Sequence, residues 1–257
     1  MIRKVTDQIG YEVNFSYPPQ RIVSLVPSLT ELLFDINLDD QVVGITKFCI
    51  HPKDKVDLRP KIGGTKNFDI DIIHRLQPDI IIANKEENYL EGIEELKKFF
   101  PVWISDISNL EQAMAMISQI GAITGTVSRA EDLISNIRNS FKDLPNNYKG
   151  KALYLIWRKP YMTAGGDTFI NEMMNIAGYS NILQFQKRYP KITAEEIASL
   201  KPDFILLSSE PFPFKEKHLQ EFSGFCPTAK VMIVDGEMFS WFGSRMLMAA
   251  DYFKSLE

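Results

Sequence analysis

The sequence predicts an α/β protein of two similar lobes, each with a mostly parallel central sheet, joined by one long helix. Three observations carry this: a motif duplicated at a fixed offset, strands alternating with amphipathic helices, and an uninterrupted helical stripe separating the two copies.

In the duplication, Asp71-Ile-Ile-His-Arg-Leu-Gln-Pro-Asp-Ile-Ile-Ile overlays Glu195-Glu-Ile-Ala-Ser-Leu-Lys-Pro-Asp-Phe-Ile-Leu, 124 residues further on. Ile73 and Ile197, Leu76 and Leu200, Pro78 and Pro202, Asp79 and Asp203, and Ile81 and Ile205 are identical pairs, more than coincidence supplies. Each copy reads as a short amphipathic helix followed by a buried strand, Ile80 to Ala83 or Phe204 to Leu207. The helix stops before proline because the pre-proline residue is pushed out of the α region. Asp69 and Thr193 stand in register ahead of the two helices, where either side chain can accept from a free first-turn amide. Thr193 with Glu196 spells a capping box.

Val102 to Asp106 and Val231 to Asp235 form a second pair, each an apolar strand ending in an acid. A looser third pair, Arg21 to Val26 and Ala152 to Trp157, opens each lobe with a strand. Strands alternating with helices imply βαβ units and hence parallel sheets. From Val127 to Leu144, apolar residues fall at Ala130, Leu133, Ile134, Ile137 and Phe141, one helical stripe without Pro or Gly. Ser128, with Glu131 three residues on, is the expected cap, and Pro145-Asn-Asn the expected stop. At 1.5 Å per residue this helix is roughly 25 Å long. The expected organisation is an N-terminal lobe over 1–126, a linker helix over 127–145 and a C-terminal lobe over 146–257.

The composition, 45% hydrophobic and 24% charged over 257 residues, is that of an ordinary globular chain. A net charge of -4, with basic residues interleaved among acids, gives a nucleic-acid backbone no electrostatic support. Cys49 and Cys226 fit no CxxC or zinc-ribbon spacing and are expected as free thiols. Met1 to Pro19 carries Asp7, Glu12 and no apolar h-region, so no signal peptide is expected.

The segments RIVSLVPSLTELLF, the paired LxPDxI motifs and the tail GEMFSWFGSRMLMAADYF together resemble the helical-backbone class of ABC-importer binding proteins, most of all its cobalamin-binding branch. The resemblance covers most of the chain. It implies a monomer with no catalytic activity and no intrinsic cofactor. The ligand would be cobalamin or another metal chelate, held in a cleft between the lobes and delivered to an ABC permease dimer. It further implies a periplasmic or membrane-associated location outside the cytoplasm; the lack of a visible leader leaves the cytoplasm open. Asp71 and Glu195 occupy the positions that, in the resembling importers, pair with permease arginines; helix-dipole compensation is their plainer role. The alternatives are a ferric-siderophore or haem binder, a cytosolic metal-chelate chaperone, and an α/β enzyme. The enzyme lacks support, since no GxSxG elbow, HExxH motif or local Cys-His pair occurs.

Ligands of α/β sheets meet the loops beyond the carboxyl ends of strands. The ligand candidates are therefore Phe48 and Tyr89 in the first lobe, and Trp157, Tyr161, Phe212, Phe214, Phe239, Trp241 and Phe242 in the second. Aromatic rings suit a large flat macrocycle because they bury much area at little entropic cost. Trp241 and Phe242 are foremost, as adjacent rings in a glycine-flanked loop cannot easily share one core. Arg158 and Arg245 could meet acidic groups or carboxamides. Ser28-x-x-Glu31 spells a capping box, a role favoured for Glu31 over ligand contact. Gly165-Gly166-Asp167 lacks the phosphate-loop patterns and reads as a turn with Asp167 as helix cap. Cys49-x-His51 with Glu86 or Glu87 could seed a metal site. No histidines pair at ligand spacing, so no metal site is expected. His74 is expected on an exposed helix face.

Overall fold

The computed structural model describes residues 1–144 and 147–256. The chain divides into two compact units. The first comprises Met1–Asp106, Glu111–Arg138 and Phe242–Arg245; the second comprises Ile107–Leu110, Asn139–Trp241 and Met246–Glu257. Among the described residues no helix is long and apolar enough to cross a membrane.

The first unit opens with an antiparallel hairpin, Ile2–Thr6 against Glu12–Ser16, which buries Val13 and Phe15. Asp7 closes its turn by accepting from the amides of Ile9 and Tyr11 at 3.1 and 2.7 Å. The sheet that follows is wholly parallel, in the order Val42–Ile45, Ile22–Ser24, Ile80–Asn84, Val102–Ser105. Ile22, Val23 and Ile80 to Ala83 are fully buried, as apolar runs covered on both faces require.

The second unit repeats this scheme with additions. Gly150–Trp157, Phe204–Ser208 and Lys230–Val234 lie side by side in parallel, and Tyr179–Asn181 joins the start of the first of these strands. Tyr161–Thr163 turns back antiparallel along Gly150–Trp157 and carries the edge strand Lys191–Ile192. One face of this sheet packs Leu153, Leu155, Ile205 and Leu207 against Ile197, Phe214 and Phe222.

The duplicated motif has a concrete physical basis. Asp69 accepts from the Ile72 amide at 3.0 Å to cap Ile70–Leu76, and Thr193 with Glu196 forms the reciprocal capping box of Ala194–Leu200. Both pre-proline residues leave the helix in the left-handed region, Gln77 at φ 45° and Lys201 at φ 47°. The sequence required an exit from α geometry; the structure supplies the left-handed one. The acid shared by the two copies then ties the next strand to its neighbour. The Asp79 carboxylate accepts from the amides of Gln20 and Arg21 at 2.7 and 2.9 Å, and the Asp203 carboxylate from the Lys151 amide at 2.8 Å.

The helix expected after Thr126 runs Val127–Lys142 and buries Ala130, Leu133, Ile134 and Ile137. Its cap differs from expectation. The Thr126 carbonyl accepts from the Ala130 amide, so Ser128 already lies inside the first turn. The expected stop at Pro145 and Asn146 lies outside the described residues. Leu110–Thr124 runs into this helix through Gly125 at φ +79°, and the two pack so closely that a Cβ on Gly121 would sit 2.5 Å from that of Ala130.

Asp79→Ala and Asp203→Ala should each lower stability by about 1–2 kcal/mol, since each removes a charged acceptor from strand-opening amides. The midpoint of urea unfolding reads this directly. Midpoints equal to wild type would mean that water replaces the carboxylate.

Candidate functional site

The sequence placed its ligand candidates after strands, and the structure sorts them into distinct groups. In the second unit, Trp157 ends the central strand and Tyr161 begins the antiparallel one, so the four-residue step between them is a tight reversal. Trp157 is 40% exposed and meets Phe212 edge-on at 5.8 Å. Phe212 in turn contacts Phe214 at 4.8 Å and His218 at 5.5 Å. Four of the expected residues, Trp157, Tyr161, Phe212 and Phe214, thus belong to one aromatic group at a carboxyl strand end. Phe214 is buried in the core, so it supports the group from behind rather than facing a ligand.

Two polar residues, both missed in the sequence, organise this group. Glu221, on helix Leu219–Phe225, accepts from Arg158 Nε at 2.9 and 3.2 Å and from the Tyr161 hydroxyl. Burial and then the hydrogen bond to Glu221 push the Tyr161 phenol up to about 12. Burial works to raise the Glu221 carboxyl, but the bonds from Tyr161 and Arg158 prevail and hold it below its usual range. His218 Nδ1 accepts from the Lys215 amide at 2.9 Å, and burial lowers its basicity. With Nδ1 accepting, Nε2 is the ring's donor.

Trp241 is 7% exposed, and its indole N–H donates to Glu210 Oε1 at 2.9 Å beside the Ser240 hydroxyl at 2.7 Å. Phe239 is fully buried, against Tyr154 at 5.2 Å and Phe253 at 4.9 Å. It belongs to the core, which corrects its expected ligand role. Phe242, also buried, groups with the first unit. In that unit Phe48 is 52% exposed, with the Lys47 ammonium 5.2 Å from its ring centre. Tyr89 leans on Phe68 at 4.7 Å. The preceding loop is pinned by Asn84, which accepts from the Glu86 and Glu87 amides, and by Asn88, which donates to the Leu25 and Thr65 carbonyls.

Several expected roles change. Glu31 caps nothing: helix Pro27–Asp35 starts after Val26 without a side-chain cap. Instead Glu31 and Arg245 form a buried bidentate ion pair at 2.5 and 3.0 Å within the first unit, which commits the Arg245 guanidinium to a protein partner. Burial pushes the Glu31 carboxyl up, against the pull of Arg245. Asp167 is not the cap of Phe169–Ile176; Thr168 is, accepting from the Asn171 amide at 3.2 Å. Gly165 and Gly166 serve close packing, because a Cβ there would meet the Gln186 and Gln184 carbonyl oxygens at 2.6 and 1.9 Å. The Cys49 thiol is buried between Thr30 and Thr46. No group of three or more His, Cys, Asp or Glu side chains among the described residues could hold a metal ion. His74 is half-buried against Phe99 and Phe100 at 4.6 and 5.0 Å, not exposed on its helix. Asp71 and Glu195 are both exposed in the first turns of their helices.

Duplicated α/β units with aromatic strand-end loops suit a binding protein, and the family comparison bears out that class. The periplasmic binding protein family model matches residues 22–224, and the chain belongs to that family. It is a binding protein and not an enzyme. An uncharacterized ABC transporter substrate-binding lipoprotein of Bacillus subtilis is 28% identical over 214 residues, covering 79% of this chain and 68% of that one. A vitamin B12-binding protein of Vibrio parahaemolyticus is 25% identical over 197 residues, covering 74% and 71%. A crystal structure of a periplasmic vitamin B12 binding protein of Vibrio cholerae matches with a TM-score of 0.79 at 20% identity, over 92% of this chain and 97% of that one, and shows the same fold.

Glu31→Ala should destabilise the protein by about 3–5 kcal/mol, because it removes the carboxylate that pairs with a buried guanidinium. The double variant Glu31→Ala with Arg245→Met should recover most of that loss in a thermal unfolding scan. A single variant as stable as wild type would show that water reaches Arg245.

Proposed function

We propose that this chain is the substrate-binding component of an ABC importer, capturing cobalamin or a related corrinoid outside the cytoplasm and delivering it to a membrane permease dimer. The observation that carries the ligand class is the half-exposed Trp157, backed by Phe212, in a chain whose Vibrio relative is named for vitamin B12. Such a ring offers a large, stiff apolar face to a flat macrocycle. Phe48 is an exposed ring in a strand-end loop of the first unit, and Tyr89 follows another strand of the same sheet, Ile80–Asn84. Trp241 is assigned a supporting role, since its indole is already held by Glu210.

Calorimetric titration with cyanocobalamin should show saturable binding, and Trp157→Ala should weaken it by about 2 kcal/mol if that ring is an anchor. Tight binding of haemin or a ferric siderophore, with no heat from cyanocobalamin, would move the ligand class to those chelates.

For delivery, Asp71 and Glu195 are the docking contacts, one exposed carboxylate in the same register of each copy. Its own backbone amide and then the Thr193 hydroxyl hold the Glu195 carboxyl below its usual range, so it is charged at neutral pH. A homodimeric permease presents two equivalent sites, which suits a repeated acid. Asp71→Lys with Glu195→Lys should abolish permease association and leave cyanocobalamin affinity within about 0.5 kcal/mol, since distant sites act nearly independently. Normal uptake by the double variant would reduce the two acids to helix-dipole partners.

A further inference from the structure

One carboxylate holds both ends of the reversal that carries Trp157. The reversal runs from Trp157 through Arg158, Lys159 and Pro160 to Tyr161. Arg158 donates from Nε to both Glu221 oxygens, and the Tyr161 hydroxyl donates to one of them. Glu221 itself stands on a different element, and the next residue, Phe222, is fully buried in the core. Phe222 also meets the Tyr161 ring at 5.4 Å, so the helix grips the same side chain by its ring and by its hydroxyl. The Arg158–Glu221 pair is only partly exposed, at 27% and 20% of its side chains, so solvent screens it less than a surface pair. Charge-assisted bonds of this kind fix direction as well as proximity.

We infer that Glu221 is a positioning residue for ligand capture: by clamping Arg158 and Tyr161 together it fixes the reversal and hence the presentation of the Trp157 indole. This rests on the reading above that Trp157 meets the ligand. Glu221 touches no ligand in this scheme; it acts by removing alternative conformations of the reversal before binding, so that the ordering cost is not levied on the complex. The high phenol of Tyr161 agrees with a hydroxyl that stays protonated and donating throughout the physiological range. Its share of the clamp is complete below about 10 and is lost as pH rises through about 12.

The test uses Glu221→Gln, which keeps the size and one acceptor but removes the charge. Of the three tryptophans, Trp103 is fully buried and Trp241 is 7% exposed, so a collisional quencher such as acrylamide reports mainly on Trp157. Glu221→Gln should raise the quenching constant about twofold by loosening the reversal. In alkaline difference spectra against Tyr161→Phe, it should also move the Tyr161 transition from about 12 toward the usual value near 10. With cyanocobalamin and with haemin as probes, Glu221→Gln should weaken whichever binds about tenfold, and should add no further loss in a Trp157→Ala background, because the two act as one unit. Quenching and Tyr161 titration unchanged in Glu221→Gln would overturn the clamp. Full additivity with Trp157→Ala would overturn the route through that ring. If Trp157→Ala binds like wild type, or neither probe binds, the ligand reading fails while the quenching result still decides the clamp.

Discussion

The constraint on which the rest depends is parallel pairing of the strands that the two units share, Ile22–Ser24, Ile80–Asn84 and Val102–Ser105 in one and Gly150–Trp157, Phe204–Ser208 and Lys230–Val234 in the other. Parallel neighbours cannot be joined by a tight turn, so every connection must carry the chain back through a helix. The carboxyl ends of these parallel strands therefore fall on one side of each sheet, and the loops there are free to differ while the strands stay apolar on both faces. The acid of the Pro-Asp step serves this pairing: Asp79 and Asp203 bind the amides that open the neighbouring strand, so the return helix delivers each strand in register. Strand register, loop position and the placing of Trp157, Phe48 and Tyr89 all follow from that.

Much of the fold was legible because parallel sheets and short capped helices leave one-dimensional traces. The offset repeat, the caps at Asp69 and Thr193 and the stripe from Ala130 to Ile137 are all local patterns, and local physics kept them. Where tertiary contacts outweighed local propensity, expectation failed. Glu31 sits at capping-box spacing, yet a partner 214 residues away claims it. Asp167 is one residue too early to cap, and it accepts from the Arg188 amide instead.

The candidate site was half legible. Aromatic residues after strands could be named, but which of them reach solvent could not, since Phe239 and Trp157 look alike in a sequence and differ in packing alone. Glu221 left no signal, because nothing local links a carboxylate on a short helix to a reversal some 60 residues earlier.

The two thiols have a practical consequence. Cys49 is enclosed by Thr30 and Thr46, and Cys226 donates to the Ile197 carbonyl; burial raises both above the usual thiol range. A thiol that is both inaccessible and un-ionised reacts slowly with maleimides. The native chain therefore offers a silent background for conjugation chemistry, and a cysteine introduced on an exposed position of either unit can be tagged with a fluorophore or spin label without first deleting the natural pair.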